Sequence, residues 1–279
     1  MTHLSKYRAL ALSLDKSVFR DGDTIDPALV KVVRGINARI PVILVTEQHH
    51  TEIAPLYDML GLSSPLVCCY GAYAYHPATN GFSRESAMDR QAALTLIDQS
   101  RELELASTLY INHALTSTES ANLELAVTKS TLASRTSTQE QYAVVSAKSS
   151  DDARLLLPAK SAVAKLRLTG ESDALQTLVS DPWVKRTFAV EPISATEYDV
   201  VRFGCSKGLG LAYYLSAQNI GLSETVAVGE LPCDVSMLKA AGLAVVTHDA
   251  GWEVKKHADH LATLDGADSG LAMLLASLF

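Results

Sequence analysis

The sequence predicts an α/β protein: a parallel sheet covered by helices, interrupted by an inserted α+β module. Three observations carry that expectation. Short apolar runs alternate with helical segments from residue 7 to residue 69, the pattern breaks down between about 84 and 190, and it then resumes to the end. The expected domains are therefore 1–83 with 191–279 for the sheet and 84–190 for the insertion. The 279 residues are 48% hydrophobic and 20% charged, a globular composition with enough apolar surface to bury a core.

Each element has its own signal. Residues 7–14 (YRALALSL) alternate and read as a buried strand ending at Asp15. A polar loop follows over 16–26. Asp26 is placed to cap a helix over 27–38, because Pro27 is tolerated in a first helical turn. Residues 41–45 (PVILV) form a second strand, 51–60 a helix stopped by Gly61, and 65–69 (PLVCC) a third strand. Strands apolar on both sides and joined by helices call for parallel pairing. The insertion reads as a helix over 91–103, a Ser/Thr-rich stretch over 116–137, a strand over 162–168, a helix over 172–180 and a two-residue period over 184–190. Beyond it come a helix (206–218), a strand (225–228), a helix (234–241), a strand (243–246) and a closing helix (270–279).

Charge and cysteine usage narrow the classes of partner. Lys plus Arg is 24 and Asp plus Glu is 31, a net charge of −7 that does not draw a phosphate backbone over long range, so no nucleic-acid partner is expected. No apolar run reaches the roughly 18–20 residues of a membrane span, and the first residues lack a leader's apolar region. Cys68, Cys69, Cys205 and Cys233 contain no CxxC pair, which fits a reduced, cytoplasmic setting better than a disulfide framework or a zinc site.

Open parallel sheets bind ligands at the carboxyl ends of their strands. That rule selects Ser13-Leu14-Asp15-Lys16-Ser17, Thr46-Glu47-Gln48, Tyr70-Gly71, Gly229-Glu230-Leu231-Pro232-Cys233-Asp234 and Thr247-His248-Asp249, with Lys207 at the entrance of a helix. His49-His50 and the His257-x-x-His260 spacing are read as solvated or hydrogen-bonded side chains rather than metal ligands. Cys233 is read as a small buried filler. Tyr70 either stacks on a planar ligand or fills the pocket.

These stretches, in this order, resemble the haloacid dehalogenase (HAD) superfamily, and within it the Cof-type phosphatases with a C2-type cap, which include bacterial sugar-phosphate and pyridoxal-phosphate phosphatases. The likeness covers most of 7–83 and 191–279. The cap matches by position and size. The resemblance implies a Rossmann-like core and small phosphorylated metabolites as substrates. It implies Asp15 as acid/base, Thr46 and Lys207 as phosphate-binding residues, and Glu230 and Asp234 as the positions for Mg²⁺. The departures lie at the chemical edge. Ser13 stands at the nucleophile position, Lys16 at a Gly position, Glu47-Gln48 at a Gly-Arg, Tyr70 at an Asn, Glu230 at the metal-binding Asp and Cys233 at an Asn.

A Ser hydroxyl is not ionised at neutral pH and needs a base beside it. A phosphoserine, once formed, is a stable ester. Loss of the carboxylate at Ser13 removes an oxygen ligand, and the longer Glu230 displaces another, which octahedral Mg²⁺ tolerates poorly. Lys16 either points to solvent or stands in for the metal within reach of Asp15, Glu230 or Asp234. Lys207 alone is expected to be too few for three acids. The reading is a HAD-like protein impaired or inactive in catalysis, with its Mg²⁺ site altered or lost, binding a metabolite or a partner. The alternative is an active Mg²⁺-dependent phosphatase of a sugar phosphate or pyridoxal phosphate.

Overall fold

The computed structural model describes residues 6–13, 19–20, 24–83, 86–115, 141–147, 162–263 and 270–279. The chain divides into two compact units, Met1–Arg84 with Ser206–Phe279, and Glu85–Cys205. In chain order the first unit opens with strands β1 (Ala9–Leu12), β2 (Phe19–Arg20) and β3 (Thr24–Ile25), helix α1 (Pro27–Asn37), β4 (Val42–Leu44), α2 (His50–Leu60), β5 (Leu66–Cys68), β6 (Tyr73–His76) and β7 (Gly81–Ser83). The second unit holds α3 (Arg90–Glu102), β8 (Ala106–Leu115), β9 (Gln141–Ala147), β10 (Val163–Thr169), α4 (Ser172–Ser180), α5 (Pro182–Thr187), β11 (Phe188–Pro192) and β12 (Glu197–Arg202). The first unit resumes with α6 (Lys207–Ala217), β13 (Thr225–Gly229), α7 (Val235–Leu238), β14 (Leu243–Thr247), α8 (Trp252–Lys255), β15 (His260–Ala262) and α9 (Gly270–Leu278).

The first unit is built on a parallel sheet of order β15-β14-β13-β1-β4 among the described residues. β1 lies between β4 and β13, in register Leu10↔Val42 on one side and Ala9↔Thr225 on the other, so the two ends of the chain meet in one sheet. Ala9, Ala11, Ile43 and Ala227 face α6, whose Leu211 and Leu215 share their core. The alternate residues Leu10, Leu12, Val42 and Leu44 are buried as well, as a strand covered on both faces requires. Helix α1 forms where expected: the Asp26 carboxylate accepts from the Ala28 amide at 2.9 Å, and Leu29, Val33 and Ile36 bury one stripe.

The expected third parallel strand departs from the pattern. β5 meets the parallel sheet through one parallel bridge, from Val67 to Val45 just past the end of β4, and otherwise pairs antiparallel with β6, which pairs with β7. Backbone geometry explains the turn away from the sheet. Cys69, Tyr70 and Gly71 have φ of 48°, 58° and 83°, three successive left-handed residues that end the strand.

The second unit is an antiparallel sheet of order β11-β12-β10-β8-β9. Leu109, Leu166, Leu168 and Val200 pack with Leu94 and Ile97 of α3 and Leu175 and Leu178 of α4. This unit runs past residue 190 to Cys205, because β11 and β12 pair with each other and β12 with β10. The strand period read over 184–190 begins only at Phe188. Asp181 caps α5 by accepting from the Trp183 and Val184 amides, and Pro182 starts the turn. The Ser/Thr-rich stretch at 116–137 lies outside the described residues.

Candidate active site

The order of the parallel sheet reverses about β1: β4 lies on one side, and β13, β14 and β15 on the other. That switch point is where an open α/β sheet leaves a crevice at its carboxyl edge. Ser13 follows β1 and is buried, its amide donating to the Val228 carbonyl at 2.9 Å. Thr46 and Glu47 follow β4. Asp234 closes a one-turn 3₁₀ segment, Pro232–Asp234, after β13. Lys207 is the first residue of α6, behind the Ser206 cap, whose hydroxyl accepts from the Leu209 amide.

Backbone contact sets the position of Lys207. A Cβ on Gly210 would lie 2.5 Å from Gly71 Cα, and one on Gly208 would lie 2.5 Å from the Ser236 carbonyl oxygen. Only glycine allows α6 to come so close to the turn after β5 and to α7. The lysine is thereby driven into the sheet edge, fully buried.

Three oxygens converge on its ammonium. Lys207 Nζ donates to Asp234 Oδ1 at 2.7 Å, to Glu47 Oε2 at 2.9 Å and to Ser13 Oγ at 2.9 Å. A cation at a helix N-terminus opposes the helix dipole, and burial opposes its charge. The Asp234 and Glu47 carboxylates outweigh that burial and hold Lys207 well above the ordinary lysine range. The ammonium is therefore charged at neutral pH and cannot take a proton from Ser13.

Asp234 is filled on its other side too. Its Oδ2 accepts from the Glu230 and Leu231 amides, both at 2.8 Å, which pins the turn after β13. The adjacent Cys233 is half-buried, and burial pushes its thiol up to about 12, so that it is protonated at neutral pH. Thr46 is buried, and its hydroxyl accepts from the Gln48 amide at 3.0 Å, an arrangement that shapes the loop presenting Glu47.

Of the residues expected at the site, the structure brings Ser13, Lys207 and Asp234 into direct contact. Thr46 lies beside them on the next strand end, and Glu230 contributes its backbone amide to Asp234. Asp15 and Lys16 lie outside the described residues, and the contact expected of Lys16 lies outside with them. Of the three acids set against Lys207, its ammonium meets Asp234, and it gathers Glu47 and the Ser13 hydroxyl besides. Sequence reasoning placed Glu47 at this edge but gave it no contact with Lys207. Its signal was present, since a carboxylate disappears at Ser13 while one is added on the neighbouring strand end. His49 and His50 are both buried and hydrogen-bonded. His49 Nδ1 pairs with the Thr51 hydroxyl, and His50 Nδ1 with the Tyr73 hydroxyl, each at 2.9 Å. Tyr70 is buried.

Residues 10–275 match the family of haloacid dehalogenase-like hydrolases. The chain belongs to that family, in its Cof-type branch. It is 28% identical over 268 residues to the pyridoxal phosphate phosphatase YbhA of Escherichia coli (strain K12), covering 90% of this chain and 92% of that protein. Among solved structures, the phosphatase BT1666 of Bacteroides thetaiotaomicron superposes with a TM-score of 0.74 at 18% identity, over 100% of this chain and 97% of its own. The HAD subclass IIB sugar phosphatase BT4131 superposes with a TM-score of 0.73 at 15% identity, over 98% and 100%. These two share the fold with this chain.

Phosphatases of this superfamily are generally Mg²⁺-dependent. The side chains of Asp234, Ser13 and Glu47 do not fit that ion. Both oxygens of Asp234 are occupied by N–H donors, Ser13 offers a hydroxyl already bonded to an ammonium, and Glu47 is turned to the same ammonium. Among the described residues, no group of three or more His, Cys, Asp or Glu side chains is placed to hold a metal.

Proposed function

We propose that this chain is a Cof-type HAD protein that binds a small phosphorylated metabolite without turning it over. The observation carrying this reading is the bond from the Lys207 ammonium to Ser13 Oγ, at 2.9 Å. A charged donor lies against the hydroxyl that stands at the nucleophile position, and among the described residues no base is bonded to it. Covalent phosphoryl transfer needs an ionised or base-activated nucleophile. The first unit serves as the HAD core and the second as its cap. Lys207 and Thr46 are the phosphate-facing residues, Asp15 and Asp234 are the retained acid/base and metal-side positions, and Ser13 and Glu230 are the altered nucleophile and metal positions. The ligand class follows from the relatives, one a pyridoxal phosphate phosphatase and one a sugar phosphatase. A cytoplasmic setting completes the reading, supported by the four cysteines without a CxxC pair.

A second reading, an active Mg²⁺-dependent phosphatase, is favoured by the retention of Asp15, Thr46, Lys207 and Asp234. Turnover of p-nitrophenyl phosphate and pyridoxal phosphate, with Mg²⁺ and after EDTA, separates the two. The expected rate is at least ~10³-fold below the roughly 1–10³ s⁻¹ of ordinary enzymes, with no response to EDTA. Turnover in that ordinary range, abolished by EDTA, establishes the second reading instead.

A further inference from the structure

The carboxylate missing at Ser13 has not left the site but moved. Ser13 and Glu47 stand at the ends of adjacent strands, since Leu10 pairs with Val42 and Leu12 with Leu44. Both touch the same nitrogen, each at 2.9 Å. Glu47 is the more accessible of the two carboxylates on Lys207, its side chain 13% exposed against 1% for Asp234. Asp234 is locked by two backbone amides in addition to the lysine. The mouth of the crevice is therefore closed by a side chain on a loop, and its floor by one that cannot move without breaking the turn after β13.

We propose that Glu47 is a tethered anion in the place a ligand's phosphoryl group takes beside Lys207, and that it sets the affinity and selectivity of the site for anions. The inference rests on the reading of the site as a phosphometabolite binder and names the residue that controls entry. A phosphate dianion approaching Lys207 meets one ammonium facing two carboxylates. It must displace the Glu47 carboxylate to reach the charge. Binding is thus an exchange of one anion for another, and free phosphate gains little from it. A ligand with further contacts can complete the exchange. A small anion cannot.

The test is the binding of inorganic phosphate, followed by titration calorimetry and ³¹P line broadening, to wild type, Glu47→Gln and Glu47→Gln/Lys207→Met. Glutamine keeps the size and hydrogen-bonding reach of the side chain but removes its charge. Glu47→Gly serves as a second variant, because a partly exposed side chain leaves no sealed cavity. The expected result is phosphate binding at least about tenfold tighter in both single variants than in wild type, with the gain lost on adding Lys207→Met. Equal, measurable affinity in wild type and both single variants overturns the role of Glu47 alone. Absence of binding in all of them overturns it together with the phosphometabolite reading. A gain that survives Lys207→Met overturns it by placing the anion elsewhere.

Discussion

His50 shows how burial alone sets a side chain's chemistry. It is buried beneath Tyr75 and Phe82, with ring centroids 4.1 and 5.4 Å away, and its Nδ1 is engaged by the Tyr73 hydroxyl. Burial, helped by the neighbouring His49, lowers its pKa from 6.5 to about 2. In the unfolded chain the imidazole protonates as pH falls below its ordinary value, while in the folded chain it stays neutral. The unfolded state therefore binds the extra proton, and the stability from this residue is whole above pH 6.5 and erodes below it. The expected loss is about 1.4 kcal/mol per pH unit, or about 2 kcal/mol between pH 6.5 and 5. Urea unfolding across that range checks it. The slope flattens in His50→Phe, whatever the absolute stability of the variant. An unchanged slope assigns the pH dependence to other groups.

At the scale of elements, the decisive contact is the crossing of α6 over the turn after β5. Alanine in place of glycine inside a helix ordinarily gains up to about 1 kcal/mol. Gly210→Ala should do the reverse. Its Cβ would lie 2.5 Å from Gly71 Cα and 2.7 Å from Val67 Cγ1, and the nearer neighbour is backbone that cannot swing aside. The expected cost is about 1–3 kcal/mol, read as a lower urea midpoint with an unchanged m-value. A midpoint at or above wild type shows that α6 can shift at no cost, and Lys207 would then owe its position to its carboxylates alone.

At the scale of the whole molecule, each unit has a core of its own among the described residues. In the second unit, Lys165 and Asp199 are both fully buried and 3.0 Å apart, and Arg167 donates to both Asp199 oxygens at 2.7 and 3.0 Å. Burial works to raise the Asp199 pKa, but Arg167 and Lys165 pull it below the ordinary carboxylate range. Asp199→Asn removes the anion between two cations, and breaking a buried pair this way costs about 3–5 kcal/mol. Because β10 and β12 belong to a different sheet from β1 and β13, the loss should stay within Glu85–Cys205. Hydrogen exchange is the measurement. Protection falls in β10 and β12 and holds in β1 and β13. An equal fall in both sheets means that the units unfold as one.

Local chemistry made the parallel strands legible, because the runs ALAL, VIL and TVAV are apolar on both faces and only a doubly covered sheet buries both. The Asp26–Pro27 helix start and the Gly61 stop were equally local. β6 and β7 were not legible, since their pairing depends on a left-handed turn at Cys69 and Tyr70 that side-chain identity does not announce. Nor was α5, where the Asp181 cap overrides a two-residue period. The residues of the site could be placed at one sheet edge from strand order and family likeness, and the loss of the carboxylate at Ser13 was visible at once. That the lost charge returns through Glu47 was decided only by the tertiary structure. Glu47 and Lys207 are 160 residues apart in sequence. They meet because β1 and β4 pair in parallel, while two glycine contacts press α6 onto the sheet edge, and packing of that kind is a property of the folded whole.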